Sequence, residues 1–402
     1  MGLGSTEGTG RPASGPVAGR SWMVRGKDGR LSAYGVADGA LLRWTETRPG
    51  GPDWKGPEVF PALELTGLTI AQGTDGFVHV VGRRQRKDTE AEYLHATQYQ
   101  SGRPLGAWSS LGTRTYPDPA RVARMGAPTV AVDGSGAVHV FVRNGYGGVL
   151  LRRQAANGKW EEWKDLRGVG CGQPLTATTT DAGLIELLAT TNQGHTTRWT
   201  QPDRGAPFSP PAPLPFDASE GTVTGLETTE NELTYYGQVP LTEPTDDAPP
   251  TDGTPPSDGT LPTDGPPAPA PTTIATLCAH RTGPDPDPDP DPDHPLTPLR
   301  GTEPTPHTPL AALRAPIDGH DCTILAHRTT TGRPALAACR TLAEPEGLWW
   351  SLTGPECLGP PALALDATNR VVMAVIATDG TLHVARQRTD EKGLSLAAWV
   401  RV

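Results

Sequence analysis

APTVAVDGSGAVHVFVRNGYGGVLLRRQAANGKWEEWKDLRG, residues 127–168, contains the unit from which the rest of the chain is built. Val138, Val140 and Val142 alternate with other residues, and the period of two places them on one face of a strand. DGSG before this run and NGYGG after it have the composition of tight turns, where glycine supplies backbone angles other residues resist. The pattern predicts four strands, over 129–132, 137–143, 149–154 and 160–166.

The same unit recurs. Its turn positions fall at Gly29, Gly76, Gly136, Gly183, Asn231, His320 and Asn369, roughly 47 to 49 residues apart except for two longer intervals. The first long interval carries two polar, turn-rich additions, RRQRKDTEAE at 83–92 and TYPDPARVARMG at 115–126. The second carries a Pro/Asp-rich insertion, read as two disordered loops, 240–271 and 283–309, on either side of an apolar island at 272–281 long enough for one strand. A four-stranded unit of this length buries too little alone, but radial packing brings the apolar faces of successive units together. The expectation is an all-β fold over 20–402, a seven-bladed β-propeller of four-stranded antiparallel blades with the disordered insertion in its fifth blade. Residues 1–19 are read as a disordered tail. Strands and blades stay in phase, so the ring should close by packing and edge contacts. A β-sandwich fits the constant period less well.

Composition narrows the function classes. Among 402 residues, 48 Gly and 44 Pro are too many for a helical bundle, and 35% hydrophobic residues are enough for a core but thin for the length. The formal charge of −10 offers no electrostatic footprint for nucleic acid. Most of that excess sits in the insertion. Its Pro-Asp alternation from Pro284 to Asp293 favours an extended, self-repelling spacer, whereas a calcium loop needs carbonyls and carboxylates that converge. No run approaches the ~20 apolar residues of a membrane span, and the opening MGLGSTEGTGRPASGPVAGR has neither the basic nor the apolar region of a signal peptide. Cys171, Cys278, Cys322, Cys339 and Cys357 are odd in number and show no metal-ligand spacing, so a reducing, cytoplasmic setting is expected, with no metal and no cofactor. Abundant Ala, Gly, Pro, Arg and Thr with little Lys suggests a bacterial, GC-rich source.

The blade pattern is a DG turn, a strand such as VHVFVR, a second turn, an Arg/Gln-rich strand end, then GxWxxW. It resembles that of the PLL-like bacterial lectin propellers and, more distantly, tectonin repeats. The resemblance implies a propeller that binds sugar through exposed aromatics near blade junctions. In that family the third strand reads close to LWHRWQ. Here the matching stretches are ALLRWT at 40–45, YLHATQ at 93–98, VLLRRQ at 149–154, HTTRWT at 195–200 and LHVARQ at 382–387. Only Trp44 and Trp199 keep the second aromatic, and none keeps the first.

A sugar site lays the CH face of a ring on an aromatic plane while polar groups hold the hydroxyls. Arg43 with Trp44 and Arg198 with Trp199 have the residue types, and Tyr146 lies in the Gly-rich turn where burial is not expected. The same tryptophans would serve equally to fill gaps between blades. His79 and His139 recur at matching positions, as blade geometry requires, and no GxSxG, HExxH, P-loop or dinucleotide motif occurs. The expected function is non-catalytic recognition, of carbohydrate first. A protein-binding scaffold is the alternative, and an enzyme with residues spread over several blades is a third reading.

Overall fold

The computed structural model describes residues 15–18, 21–62, 64–242, 273–281, 296–305 and 308–402. The unit at 127–168 folds into one antiparallel sheet whose strands, Thr129–Val132, Val138–Arg143, Val149–Arg153 and Lys164–Arg167, pair in chain order. Six more sheets of the same order complete a seven-bladed β-propeller. Their first strands, Met23–Arg25, Leu65–Gln72, Thr129–Val132, Thr176–Thr179, Thr224–Thr229, Ala311–Ile317 and Ala362–Leu365, form the inner ring, with the last packed against the first. We number the blades in that order. The second strand lies between neighbours on both faces and is largely buried; in blade 7 every residue of Val371–Ile376 is buried, as a doubly covered strand requires.

The recurring turns explain the repeat. Gly76, Gly136 and Gly183 have φ of +79°, +84° and +79°, and Asn231 and Asn369, which stand where the others have glycine, adopt +62° and +60°. Asparagine is among the few residues with a side chain that tolerate this left-handed region. Blade 6 differs from the sequence reading by a step. Its left-handed pair is Asp318 and Gly319, and His320 is already the first residue of the second strand, opposite Ile317.

Three boundaries move. Gly15–Pro16, placed by the sequence in the tail, pairs with Val36 and Gly35, and Val17 is 3% exposed, so this segment extends the inner edge of blade 1. The outer strand of blade 3 begins at Lys164, because Trp163 turns back to donate its indole N–H to the Leu111 carbonyl of blade 2 at 3.1 Å. In blade 5 the apolar island is the third strand, Thr273–Arg281, but the predicted loop after it contains the outer strand, Thr297–Pro298, and the buried Leu299. At the other end of the insertion, Pro240 to Thr242 complete the second strand, Glu232–Thr242, and residues 243–272, 282–295, 306 and 307 lie outside the described residues.

Seams between blades carry buried charge. One position on the third strand, three residues past the inner turn in its pairing, is Arg153 in blade 3, Arg281 in blade 5 and Arg386 in blade 7. Arg281 reaches across to Glu344 of blade 6 at 2.5 Å, where the Tyr236 hydroxyl also donates at 2.7 Å. Arg386 reaches Glu46 of blade 1 at 2.5 Å, and the other oxygen of Glu46 accepts from the Leu31 and Gly50 amides. Arg25 and Arg370 donate across the same seam to the carbonyls of Asp366 and Gly50, so the ring closes without a strand shared between blades 7 and 1. Removing one partner of a buried pair strands the other. Glu46→Ala should destabilise the protein by about 3–5 kcal/mol in urea unfolding, and a loss under about 1 kcal/mol would show that the seam does not depend on this carboxylate.

Candidate functional site

At the seam between blades 3 and 4 the repeated position behaves differently. Arg153 crosses to blade 4 by donating from Nη1 to the Gly205 carbonyl at 2.5 Å, while its carboxylate partner, Glu161, belongs to its own blade, with Nη2 to Oε1 at 2.6 Å. Beside this contact the two blades enclose a cavity of about 90 Å³. Its wall includes His139, Leu151, Arg153 and Glu161 from blade 3, and Phe208 from blade 4.

His139 is buried beneath this cavity beside Asp133. Its Nδ1 lies 3.1 Å from the Ala137 carbonyl, an oxygen that can only accept, so Nδ1 carries the proton and Nε2 presents a lone pair. Burial holds its pKa down at about 4 against the pull of Asp133, so the ring is neutral near pH 7. Asp133 uses Oδ1 to accept from the Ser135 amide and hydroxyl and the Ala137 amide. Its Oδ2 and the Nε2 of His139, 4.0 Å apart, have no hydrogen-bond partner. Unpartnered buried acceptors are rare and call for a donor. Phe208 meets Phe141 edge-on at 5.4 Å and His139 at 6.0 Å. The site therefore combines an aromatic wall and an Arg-carboxylate pair at the rim, with the neutral His139 ring beneath them.

The corresponding space between blades 2 and 3 is filled. His79, in the position of His139, sits 3.0 Å from His95 and within 3.4 Å of the Thr97 hydroxyl, and Trp160 covers His95 edge-on at 5.2 Å.

The residues singled out from sequence are dispersed. Trp44 is 2% and Trp199 0% exposed. Trp199 faces the preceding blade, donating to the Leu166 carbonyl at 2.9 Å, and Trp44 packs in the core shared by blades 7 and 1. Arg43, also buried, is held by Glu58 and by the Arg103 carbonyl. These three are withdrawn from any ligand, because both faces of a blade are seams. Arg198 is half-buried, 3.9 Å from Glu186. Tyr146 alone presents its ring, 67% exposed, with the Arg121 guanidinium 4.0 Å from the ring centre. Arg153, Glu161 and Phe208 were not singled out. The available signal was the arginine recurring at one position of the third strand in blades 3, 5 and 7.

No protein-family model matches the chain, and no curated protein matches it in sequence. Solved structures do. The lectin BP39L of Burkholderia pseudomallei is similar with a TM-score of 0.63 over 95% of this chain and 100% of that one, at 14% identity. Aleuria aurantia lectin, solved with alpha-methyl-L-fucoside, gives 0.44 over 83% of this chain and 94% of its own at 11% identity. The Hadza microbial sialidase Hz136 gives 0.45 over 84% and 70% at 12% identity. At this identity the likeness to BP39L shows a shared fold.

Two outcomes are expected. Trp199→Ala should lose about 3–5 kcal/mol of stability, the cost of truncating a core tryptophan, whereas Tyr146→Ala should stay within about 0.5 kcal/mol. Comparable losses in urea unfolding would contradict the placement of the two rings. Burial also holds His79 and His327 at about 4 and His95 at about 3, below the ~6.5 of an unfolded chain. As pH falls below about 6.5 the unfolded chain takes up protons that the folded one refuses until about 4, so stability should fall across that window. A urea midpoint unchanged between pH 7 and 5 would show that these rings are solvated.

Proposed function

We propose that the chain is a non-catalytic carbohydrate-recognition propeller whose ligand enters the seam between blades 3 and 4. The observation that carries this reading is the cavity itself, rimmed by Arg153 and Glu161, walled by Phe208 and floored by His139. Arginine and carboxylate together donate to and accept from vicinal hydroxyls, and an aromatic face suits the CH surface of a pyranose. A cavity of about 90 Å³ takes an edge of the sugar with its hydroxyls and leaves the remaining ring against Phe208. The blade pattern shared with PLL-like lectins supports the same reading, as does the fold shared with BP39L.

A protein-binding scaffold is the second reading. It is favoured by Trp349, 89% exposed beside the outer strand Ser351–Leu352 of blade 6, a bulky apolar side chain of the kind that anchors interfaces. All five cysteines are free, which supports a reducing compartment for either role. Among the described residues no helix is long and apolar enough to cross a membrane.

A glycan array probed with the full chain, followed by titration calorimetry on the best ligand, tests the first reading. Phe208→Ala and Arg153→Met should each weaken binding by about 3- to 10-fold or more, given the worth of one stacked ring or one charged hydrogen bond. Absence of any glycan bound at millimolar concentration, or wild-type affinity in both variants, would overturn it.

A further inference from the structure

A second cavity, of about 510 Å³, opens where the inner turns of blades 7, 1 and 2 meet. It is far larger than the seam cavity and differs from it in chemistry. Arg25, Lys27, Gln72, Thr74 and Asn369 supply its side-chain polar groups, and neither a carboxylate nor an aromatic ring stands in its wall. Two cations without a carboxylate between them are notable in a chain of net charge −10.

The local structure keeps both cations available. Arg25 spends Nη1 on the Asp366 carbonyl at 2.8 Å, which anchors the guanidinium and leaves its other N–H groups uncommitted. Among the described residues Lys27 makes no ion pair, and the adjacent Asp28 is turned to the Nε of Arg30 at 2.8 Å. The stem of Lys27 passes over the tip of the next blade's turn: a Cβ on Gly76 would lie 2.7 Å from its Cγ, so glycine there leaves room for the crossing. Gln72 donates its amide N–H to the Gly76 carbonyl at 3.1 Å, which orients its Oε1 as an acceptor. The side chains of Thr74 and Asn369 are uncommitted. A simple anion would use the cations and leave these groups idle, whereas an anion that also carries hydroxyls would use both sets.

We propose that this cavity binds an anionic saccharide, a sugar whose carboxylate sits between Arg25 and Lys27 and whose hydroxyls meet Gln72, Thr74 and Asn369. The site is independent of the seam site and of the function assigned to it. Without an aromatic platform, its affinity comes from charge and hydrogen bonds and falls as salt screens the cations.

Calorimetric titration of the full chain with glucuronate, glucose and inorganic phosphate, at low and at physiological ionic strength, tests this directly. Glucuronate should bind more tightly than either of the others and more weakly as salt rises. Lys27→Gln and Arg25→Gln, both at exposed positions, should each weaken glucuronate by about tenfold with circular dichroism unchanged. Phe208→Ala should leave glucuronate binding as it was. The proposal is overturned by no saturable binding, by glucose or phosphate binding as tightly as glucuronate, by wild-type affinity in both charge variants, or by loss of binding in Phe208→Ala.

Discussion

In a ring of sheets packed face against face, every seam must be filled from both sides, and a single third-strand position does much of this with an arginine. Arg281 and Arg386 find a buried glutamate in the following blade, and those seams are tied by charge. Arg153 finds a backbone carbonyl instead and keeps its carboxylate at home. Of the three seams that carry this arginine, the one with a carbonyl in place of a buried glutamate is the one beside the cavity at His139.

The fold was legible because its two determinants are local. Left-handed turn residues followed by an apolar run can be read within a dozen positions, and their recurrence, 47 residues apart from Gly29 to Gly76 and again from Gly136 to Gly183, turns one unit into a ring. Blade 6 was displaced by a step for the same reason: Asp318 and Gly319 make a two-residue hairpin turn, and the reading anchored on His320 instead. The outer strand of blade 5 was hidden because Thr297–Pro298 is short and set in proline-rich sequence.

The site was far less legible. Alternation along a strand normally separates a buried face from an exposed one, but a propeller blade has no exposed face. Trp44 and Trp199 therefore carried the residue type of a sugar platform and the position of a core residue, with nothing local to distinguish them. Tyr146 could be placed because a Gly-rich turn projects beyond the sheet. Whether an arginine on the third strand is consumed by the seam or left to meet a ligand depends on a residue in the next blade, such as Gly205 opposite Arg153. That information is not in the unit itself. The tautomer of His139 needed the Ala137 carbonyl on one side of the ring, and its neighbourhood needed Phe208 from the next blade.

The account rests on the seam between blades 3 and 4 being the place where a saccharide enters, and difference density from a crystal of the full chain soaked in its best-binding monosaccharide tests that claim most directly. The expected result is a sugar with hydroxyls on Arg153 and Glu161 and its ring against Phe208. A saccharide bound at Tyr146 with the seam empty would contradict it.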